Sequence, residues 1–394
     1  MKEYTGKYAS CKVFADTIEE TAEEQIKEFL DCPAFEGAQI RIMPDVHAGA
    51  GAVIGFTAPV GDKVIPNVIG VDIGCGVLSQ AFDAGSLDSV HFSQFDKLVR
   101  SQVPSGFAVR ETVYPRMKQF FPGDCLGGFV CFQEDVDDIC SRLHLDHGRV
   151  WRSIGSLGGG NHFIEIGHSE QEPGQYWLTI HSGSRNFGLQ IANAYQNMAV
   201  EQMGKRGGLE WLTGDDAQSY LRDMRTAQIY ASLNRLCILA SLGFVPIRPE
   251  TMVESVHNFI GDDDIIRKGA ISAKAGELVV IPWNMRDGLI IGEGKGNEDW
   301  NNSAPHGAGR IMGRKQAKRT LDTGAFLDTM RGAGVWSTCV GDDTLDESPD
   351  AYKDHGSVLA ALADSVAVTH TVRPVYSFKA SKAIYGVTLG VDDE

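Results

Sequence analysis

The eight cysteines of this 394-residue chain form no CxxC pair and no compact framework, so they read as reduced thiols. The opening Met1-Lys2-Glu3-Tyr4 has no apolar signal region, and no stretch is long and apolar enough to span a membrane. Internal repeats, long linkers and low-complexity tracts are also missing. These absences predict a cytoplasmic protein with no membrane association. Positive charge is scarce: 36 Lys and Arg stand against 52 Asp and Glu, a net charge of −16. That argues against a protein that coats nucleic acid nonspecifically. It leaves room for a nucleic-acid enzyme with a local basic channel, and it suits a site that gathers divalent cations. The length fits two or three domains or one large one, and 43% apolar residues supply ample core. Glycine is the residue in excess, at 45 of 394 or about 11% against a usual ~7%.

The glycines cluster around polar residues. In Gly70-Val71-Asp72-Ile73-Gly74-Cys75-Gly76-Val77 an acid and a thiol sit three positions apart in an otherwise apolar run. On a strand those two would face opposite ways, so the chain must turn for them to converge, with Gly74 and Gly76 expected to supply the backbone freedom. A carboxylate and a thiolate aimed at one point suggest a metal; a buried cysteine beside a turn-forming aspartate is the bland alternative.

Residues 16–30 have the apolar spacing of an amphipathic helix, capped by Thr17 or Thr21, with Ile18, Ala22, Ile26 and Phe29 on one face. A strand over 38–43 runs into Asp45 and His47, which either edge a ligand site or close a turn. Residues 52–60 and 64–71 read as β-like. His91, His144 and His147 lie in charged surroundings and read as surface residues. Gly158-Gly159-Gly160-Asn161-His162 leads into a strand bearing Glu165; the triple glycine allows close backbone approach but lacks the Lys-Ser/Thr ending of a P-loop. The strand Tyr176–Ile180 ends in His181-Ser182-Gly183-Ser184-Arg185, and Arg185 offers a fork suited to phosphate. Helices are expected over 190–203 and 215–241, with Tyr220, Met224, Ala227 and Ala231 as a core stripe. His257 follows the β-like Met252–Val256, and Arg267-Lys268-Gly269-Ala270 reads as a compact basic turn. His306-Gly307-Ala308-Gly309-Arg310 is read as opening a helix, either binding an anion there or serving as its cap.

Asp72, Cys75, His162, His181, His257 and His306 each sit beside glycine or at a strand end. Four such histidines with an aspartate and a cysteine are hard to explain as packing. One cysteine, one aspartate and three histidines could supply a two-metal cluster, leaving His306 as a nucleophile. The residues themselves point to a metal enzyme acting on phosphates. The architecture expected from alternating strand and helix signals is α+β: one large domain over 1–394, with a β-rich core whose sheet ends carry the ligands and with helices outside.

The sequence resembles the RtcB family of GTP-dependent RNA-splicing ligases. The matching segments are Met43–His47, Gly70–Gly76, Gly160–Glu165, His181–Arg185, His257-Asn258, Arg267–Ala270, His306–Arg310 and Ala351–Asp354. They fall in family order across nearly the whole chain. The resemblance implies Asp72, Cys75 and His162 as ligands of one manganese ion and Cys75, His181 and His257 as ligands of a second. It implies His306 as the residue that takes GMP from GTP, and Asn161, Glu165, Gly307, Ala308, Gly309 and Lys379 as nucleotide contacts, with Lys379 at guanine. Arg185 matches an arginine placed for RNA phosphate, and Asp45 a further active-site member. The implied reaction joins RNA 3′-phosphate or 2′,3′-cyclic phosphate ends to 5′-hydroxyl ends, in tRNA splicing or RNA repair. Cysteine with histidine would by itself favour zinc, so manganese is carried by the resemblance. An activating protein partner is left open.

The chain departs from the family in two places. Trp283–Gly288 replaces a Gly-Ser-Met-Gly turn that shapes the guanine pocket, and 15 residues follow Lys379. The residues alone also admit a hydrolytic binuclear phosphodiesterase, with His306 as general acid, or a noncatalytic RNA-repair subunit. RNA is expected to bind a local basic patch drawn from Arg185, Arg267, Lys268, Arg310 and Arg314.

Overall fold

A computed structural model of the chain describes residues 1–121 and 126–381. In chain order its strands are β1 (Lys2–Thr5), β2 (Ser10–Val13), β3 (Gln39–His47), β4 (Ile54–Pro59) and β5 (Gly76–Asp83). They continue with β6 (Phe163–Ser169), β7 (Gln175–Ser182), β8 (Met252–Val256), β9 (Asn258–Ile260) and β10 (Ile265–Lys268). The last five are β11 (Ala270–Ser272), β12 (Leu278–Pro282), β13 (Leu289–Gly294), β14 (Ser303–Pro305) and β15 (Val366–Lys379).

Seven strands form an antiparallel sheet in the order β12-β13-β15-β6-β7-β5-β8. Its edges approach each other, with Val280 N of β12 donating to Ser255 Oγ of β8 at 3.0 Å, so the sheet is nearly closed. A second sheet runs β1-β2-β3-β4-β10-β9, and β11 pairs with β14 alone. The period-2 side chains Ile164, Ile166, Leu178 and Ile180 pack with Ile238 and Leu239 of the long helix Gly214–Leu242. Burying each such side chain stabilises the fold by about 1.5–3 kcal/mol. The class is α+β, with helices surrounding the β core. Among the described residues no helix is long and apolar enough to cross a membrane.

Most expected elements form, including the strand at Met252–Val256 and the helix carrying Tyr220, Met224, Ala227 and Ala231, all fully buried. His91, His144 and His147 are exposed. Three local readings need correction. The first helix begins at Glu20 with Glu19 at its N-cap, not Thr17 or Thr21, and Glu19 instead accepts from Ala48 N at 2.6 Å beyond β3. Residues 64–71 are not a strand: Val64 makes a lone bridge to Leu212, and Pro66–Ile69 is a short helix with Pro66 at its first position. Gly74 (φ 71°) serves the turn that brings Asp72 towards Cys75 as expected, but Gly76 already belongs to β5 and Gly70 (φ 98°) takes its place. Lys382–Glu394 lie outside the described residues.

Candidate metal centre and nucleotide pocket

The register of the large sheet brings the ligand candidates together. Gly76 of β5 is opposite Ser182 of β7 and Val256 of β8, and Phe163 of β6 is opposite His181. Cys75, His162, His181 and His257 therefore stand at one end of four adjacent strands. Asp72 reaches the same point because Gly183 has no side chain: a Cβ there would lie 2.2 Å from Asp72 Oδ1.

Cys75 Sγ is 3.4 Å from His162 Nε2 and 3.3 Å from His181 Nε2. His162 Nε2 is 3.1 Å from Asp72 Oδ2, and His181 Nε2 is 3.4 Å from His257 Nε2. The far nitrogens are anchored by backbone. His162 Nδ1 lies 2.9 Å from Leu157 O, and His181 Nδ1 lies 3.2 Å from Asn161 O. At His181 that carbonyl faces an N–H, which leaves the Nε2 lone pair pointing inward; at His162 Nδ1 the Leu157 carbonyl is joined by Arg185 Nη1 at 3.2 Å. Burial, reinforced by neighbouring imidazoles, holds His181 and His257 well below the usual histidine range, so both are neutral. Burial and then the Asp72 charge push the Cys75 thiol well up. For Asp72 burial opposes ionisation, but His162 and Arg185 outweigh it and hold the carboxyl low. Asp72 Oδ1 and His257 Nδ1 are buried without partners among the described residues. Converging lone pairs, a carboxylate and an orphaned oxygen fit a cation, which would draw the proton from Cys75. Cys75, His162 and His181 alone suffice as a buried group able to hold a metal ion.

His306 follows β14, and its ring centre is 4.9 Å from that of His257. Its Nδ1 lies 2.6 Å from Asp45 Oδ2, which also accepts from His306 N at 3.2 Å. Asp45 is fully buried. It projects where the β3–β4 ladder loses register between Ile42 and His47, a break that Pro44 favours by removing a donor. Gly309 (φ 75°) lets the following loop lie on Asp45, since a Cβ there would be 2.3 Å from Asp45 O. His306 does not open a helix as expected; the next one begins at Arg314.

A cavity of about 650 Å³ opens beside these groups, within the usual size of a small-molecule site. Asp72, Cys75, His181, His257 and His306 line it, as do Asn161, Glu165, Gly307, Ala308, Gly309 and Lys379. His162, Arg185 and Asp45 stand behind its wall. Lys379 Nζ donates to Glu347 Oε2 at 2.9 Å and to Asn161 O at 3.3 Å. Burial pushes the Glu165 carboxyl up to about 8, against the pull of Lys379. Burial also works against Glu347, but Lys379, Arg314 and Arg310 outweigh it and hold that carboxyl at about 2. The Trp283–Gly288 turn forms part of the wall, yet the Asn284 side chain is consumed by its own turn, bonding Arg286 N, Asp287 N and Asp287 Oδ2.

Glu347 went unnoticed in sequence, being one acid in the acid-rich Asp342–Glu347. Asn234 and Arg235 were also missed. Asn234 Oδ1 accepts from Gly155 N at 2.7 Å, while its Nδ2 donates to Ser182 Oγ at 2.9 Å and Gly183 O at 3.1 Å. Arg235 donates to Gly74 O at 2.8 Å and Ser182 O at 2.7 Å. One helix turn thus ties together the three loops that carry the clustered side chains. The signal available was two polar residues interrupting an otherwise buried stripe. The basic patch does not form as expected. Arg267 is buried against Asp263, with 2.7 Å between Nη2 and Oδ2, and Lys268 is buried on the carbonyls of Ala50 and Asn67. Arg310 and Arg314 face Asp346 and Glu347.

The fold and site define an α+β protein with a buried thiol–imidazole group, able to hold a metal, beside a cavity of small-molecule size. The family described as tRNA-splicing ligase RtcB matches residues 25–126 and 133–380, so the chain belongs to the RtcB family. The RNA-splicing ligase RtcB of Escherichia coli (strain K12) is 31% identical over 408 residues, covering 92% of this chain and 95% of that one. The tRNA-splicing ligase RtcB of Aeropyrum pernix is 26% identical, covering 85% and 86%. The RNA-splicing ligase RtcB homolog 1 of Entamoeba histolytica is 25% identical, covering 79% and 74%.

Proposed function

We propose that residues 1–394 form one cytoplasmic RNA ligase domain that uses GTP and manganese to join a 3′-phosphate or 2′,3′-cyclic phosphate end to a 5′-hydroxyl end. The observation that carries this reading is His306, held by fully buried Asp45 and with no hydrogen bond to its second nitrogen among the described residues, 4.9 Å ring to ring from His257 at the edge of the pocket. With Nδ1–H donated to Asp45, Nε2 is the nucleophile.

Asp72, Cys75 and His162 would hold one manganese ion, and Cys75, His181 and His257 the other. When bound, the ions would neutralise triphosphate charge and polarise the α-phosphorus. His306 Nε2 bonds to that phosphorus while its bond to the pyrophosphate oxygen breaks, giving a histidine–GMP. Asp45 stabilises the positive charge that develops on the ring. GMP then passes to an RNA 3′-phosphate, freeing His306 and leaving an RNA-ppG end; a cyclic phosphate is first opened by water. The 5′-hydroxyl oxygen attacks the RNA phosphorus and GMP leaves with its phosphate. Lys379 and Glu165 offer an N–H donor and a carboxyl, which complement the O6 acceptor and N–H donors of guanine. Asn161 and the Gly307–Gly309 backbone, in the cavity lining, would meet the sugar and phosphates, and Arg185, with Nη1 3.2 Å from His162 Nδ1, is assigned to the RNA phosphate.

The test is joining of two defined RNA strands, one ending in 3′-phosphate and one beginning with 5′-hydroxyl. Product that requires both GTP and manganese supports the reading. Cleavage without joining would favour the phosphodiesterase alternative.

A further inference from the structure

Phe107 is 96% exposed, the most exposed large hydrophobic side chain among the described residues. Its ring therefore contributes almost nothing to the core. The loop that bears it is nevertheless fixed to the centre of the molecule. Gly106 N donates to Gly158 O at 2.8 Å, and Leu157 N donates to Pro104 O at 2.8 Å. The Leu157 carbonyl in turn lies 2.9 Å from His162 Nδ1. Gly158 is also the seat of Arg185, because a Cβ there would stand only 2.0–2.1 Å from the guanidinium. One glycine thus joins the loop carrying the bare aromatic ring to the arginine beside the ligand cluster.

The surroundings of the ring are basic, in a chain of net charge −16. Arg149 is exposed and donates from Nη2 to Phe107 O at 3.0 Å. Arg110 N donates to Arg152 O at 3.0 Å; the Arg110 side chain is held by Gln102 O and Ser241 Oγ, each 3.2 Å from Nη1, and the Nε atoms of Arg110 and Arg152 are buried without a partner among the described residues. The acids close by in sequence are Glu111, which is exposed, and Asp146, which caps the helix bearing Arg149 and Arg152 by accepting from Arg149 N at 2.9 Å. An exposed aromatic face flanked by arginines is the elementary unit of single-strand recognition: every base has a π-face to stack, and the cations meet the backbone.

We propose that Phe107 is a stacking platform for one base of the RNA strand, with Arg149 and Arg152 against the adjoining phosphates. This rests on the RNA-ligase reading and adds to it the surface that positions the strand outside the pocket. Stacking on a single ring is indifferent to base identity, so the platform grips RNA of any sequence.

The test uses the full chain and a short fluorescent single-stranded oligoribonucleotide with a 5′-hydroxyl, followed by fluorescence anisotropy. Loss of one stacked base weakens binding by about fivefold to a hundredfold, so Phe107→Ala should fall in that range and Phe107→Trp should bind like wild type. The dependence of affinity on salt should be unchanged in Phe107→Ala, because no phosphate contact is lost, and reduced in Arg149→Ala. Labelling by GTP should not change in any of these variants. If wild type joins RNA ends and Phe107→Ala binds RNA equally well, the platform is overturned and the ligase reading stands. If wild type neither binds nor joins RNA, the ligase reading falls and the platform with it. Unchanged RNA affinity with altered sedimentation of Phe107→Ala would assign the ring to contact between copies of the chain, and would also overturn the proposal.

Discussion

Asp45→Asn removes one charge and almost no volume from a fully buried position. Asp45 Oδ2 serves both the ring nitrogen of His306 at 2.6 Å and its backbone N–H at 3.2 Å. Asparagine must keep its oxygen towards those two donors, which places Nδ2 where Asp45 Oδ1 has no partner. The orientation of the histidine survives, and the stabilisation of its developing charge is lost. A charge-assisted hydrogen bond exceeds a neutral one by about 1–1.5 kcal/mol. Two unit charges ~4 Å apart interact by about 4 kcal/mol at an effective dielectric constant of ~20. The barrier to forming histidine–GMP should therefore rise by about 1.5–4 kcal/mol, slowing that step about tenfold to a thousandfold. Single-turnover labelling with GTP radioactive at the α-phosphate, in manganese and without RNA, measures the rate directly. A rate within twofold of wild type would refute the role of the Asp45 charge. Loss of bound metal from the variant would show instead that Asp45 acts through the ligand cluster.

Two other perturbations separate the parts of the site. Cys75→Ala removes the sulfur that lies 3.4 Å from His162 Nε2 and 3.3 Å from His181 Nε2, so metal content measured by mass spectrometry should drop and RNA joining should be abolished while circular dichroism stays close to wild type; a variant that kept two ions and full joining would contradict the assignment of Cys75 to both ions. Glu165 has its carboxyl raised to about 8 in the fold, against ~4.3 for an unfolded chain, so the folded state binds more protons there and loses stability as pH rises through that window. Wild type without metal or nucleotide should therefore lose melting temperature relative to Glu165→Gln between about pH 4.5 and 8, and parallel melting curves across that range would refute the burial argument.

The cluster of Asp72, Cys75, His162, His181 and His257 was legible because its members interrupt apolar or glycine-rich segments at strand ends, where a polar side chain has no packing reason to be. The sheet register then converts four separated positions into one cluster, and the turn at Gly74 brings Asp72 to it. Charge was less legible. Arg267 and Lys268 read as a compact basic turn available to RNA, yet β10 is an inner strand of its sheet, and both cations are consumed by Asp263 and by backbone carbonyls. Glu347 carried no local signal, since its meaning depends on Lys379, Arg310 and Arg314 arriving from distant segments. The apolar stretch at 64–71 fits a strand or a helix by periodicity alone, and Pro66 decides for the helix by supplying its first position. The placement of His306 was misjudged because the helix expected at His306 begins eight residues later.

The central claim is that His306 carries GMP. Wild-type protein given GTP and manganese without RNA should gain one GMP, labile in acid and comparatively stable in base, as a bond from imidazole nitrogen to phosphorus requires. Peptide mass spectrometry should place it on His306. His306→Ala should gain none, still bind metal through Asp72, Cys75, His162, His181 and His257, and still join RNA supplied with a ready-made 3′-ppG end. Label retained by His306→Ala, or mapped to Lys379, would contradict the claim and make lysine the nucleotidyl carrier.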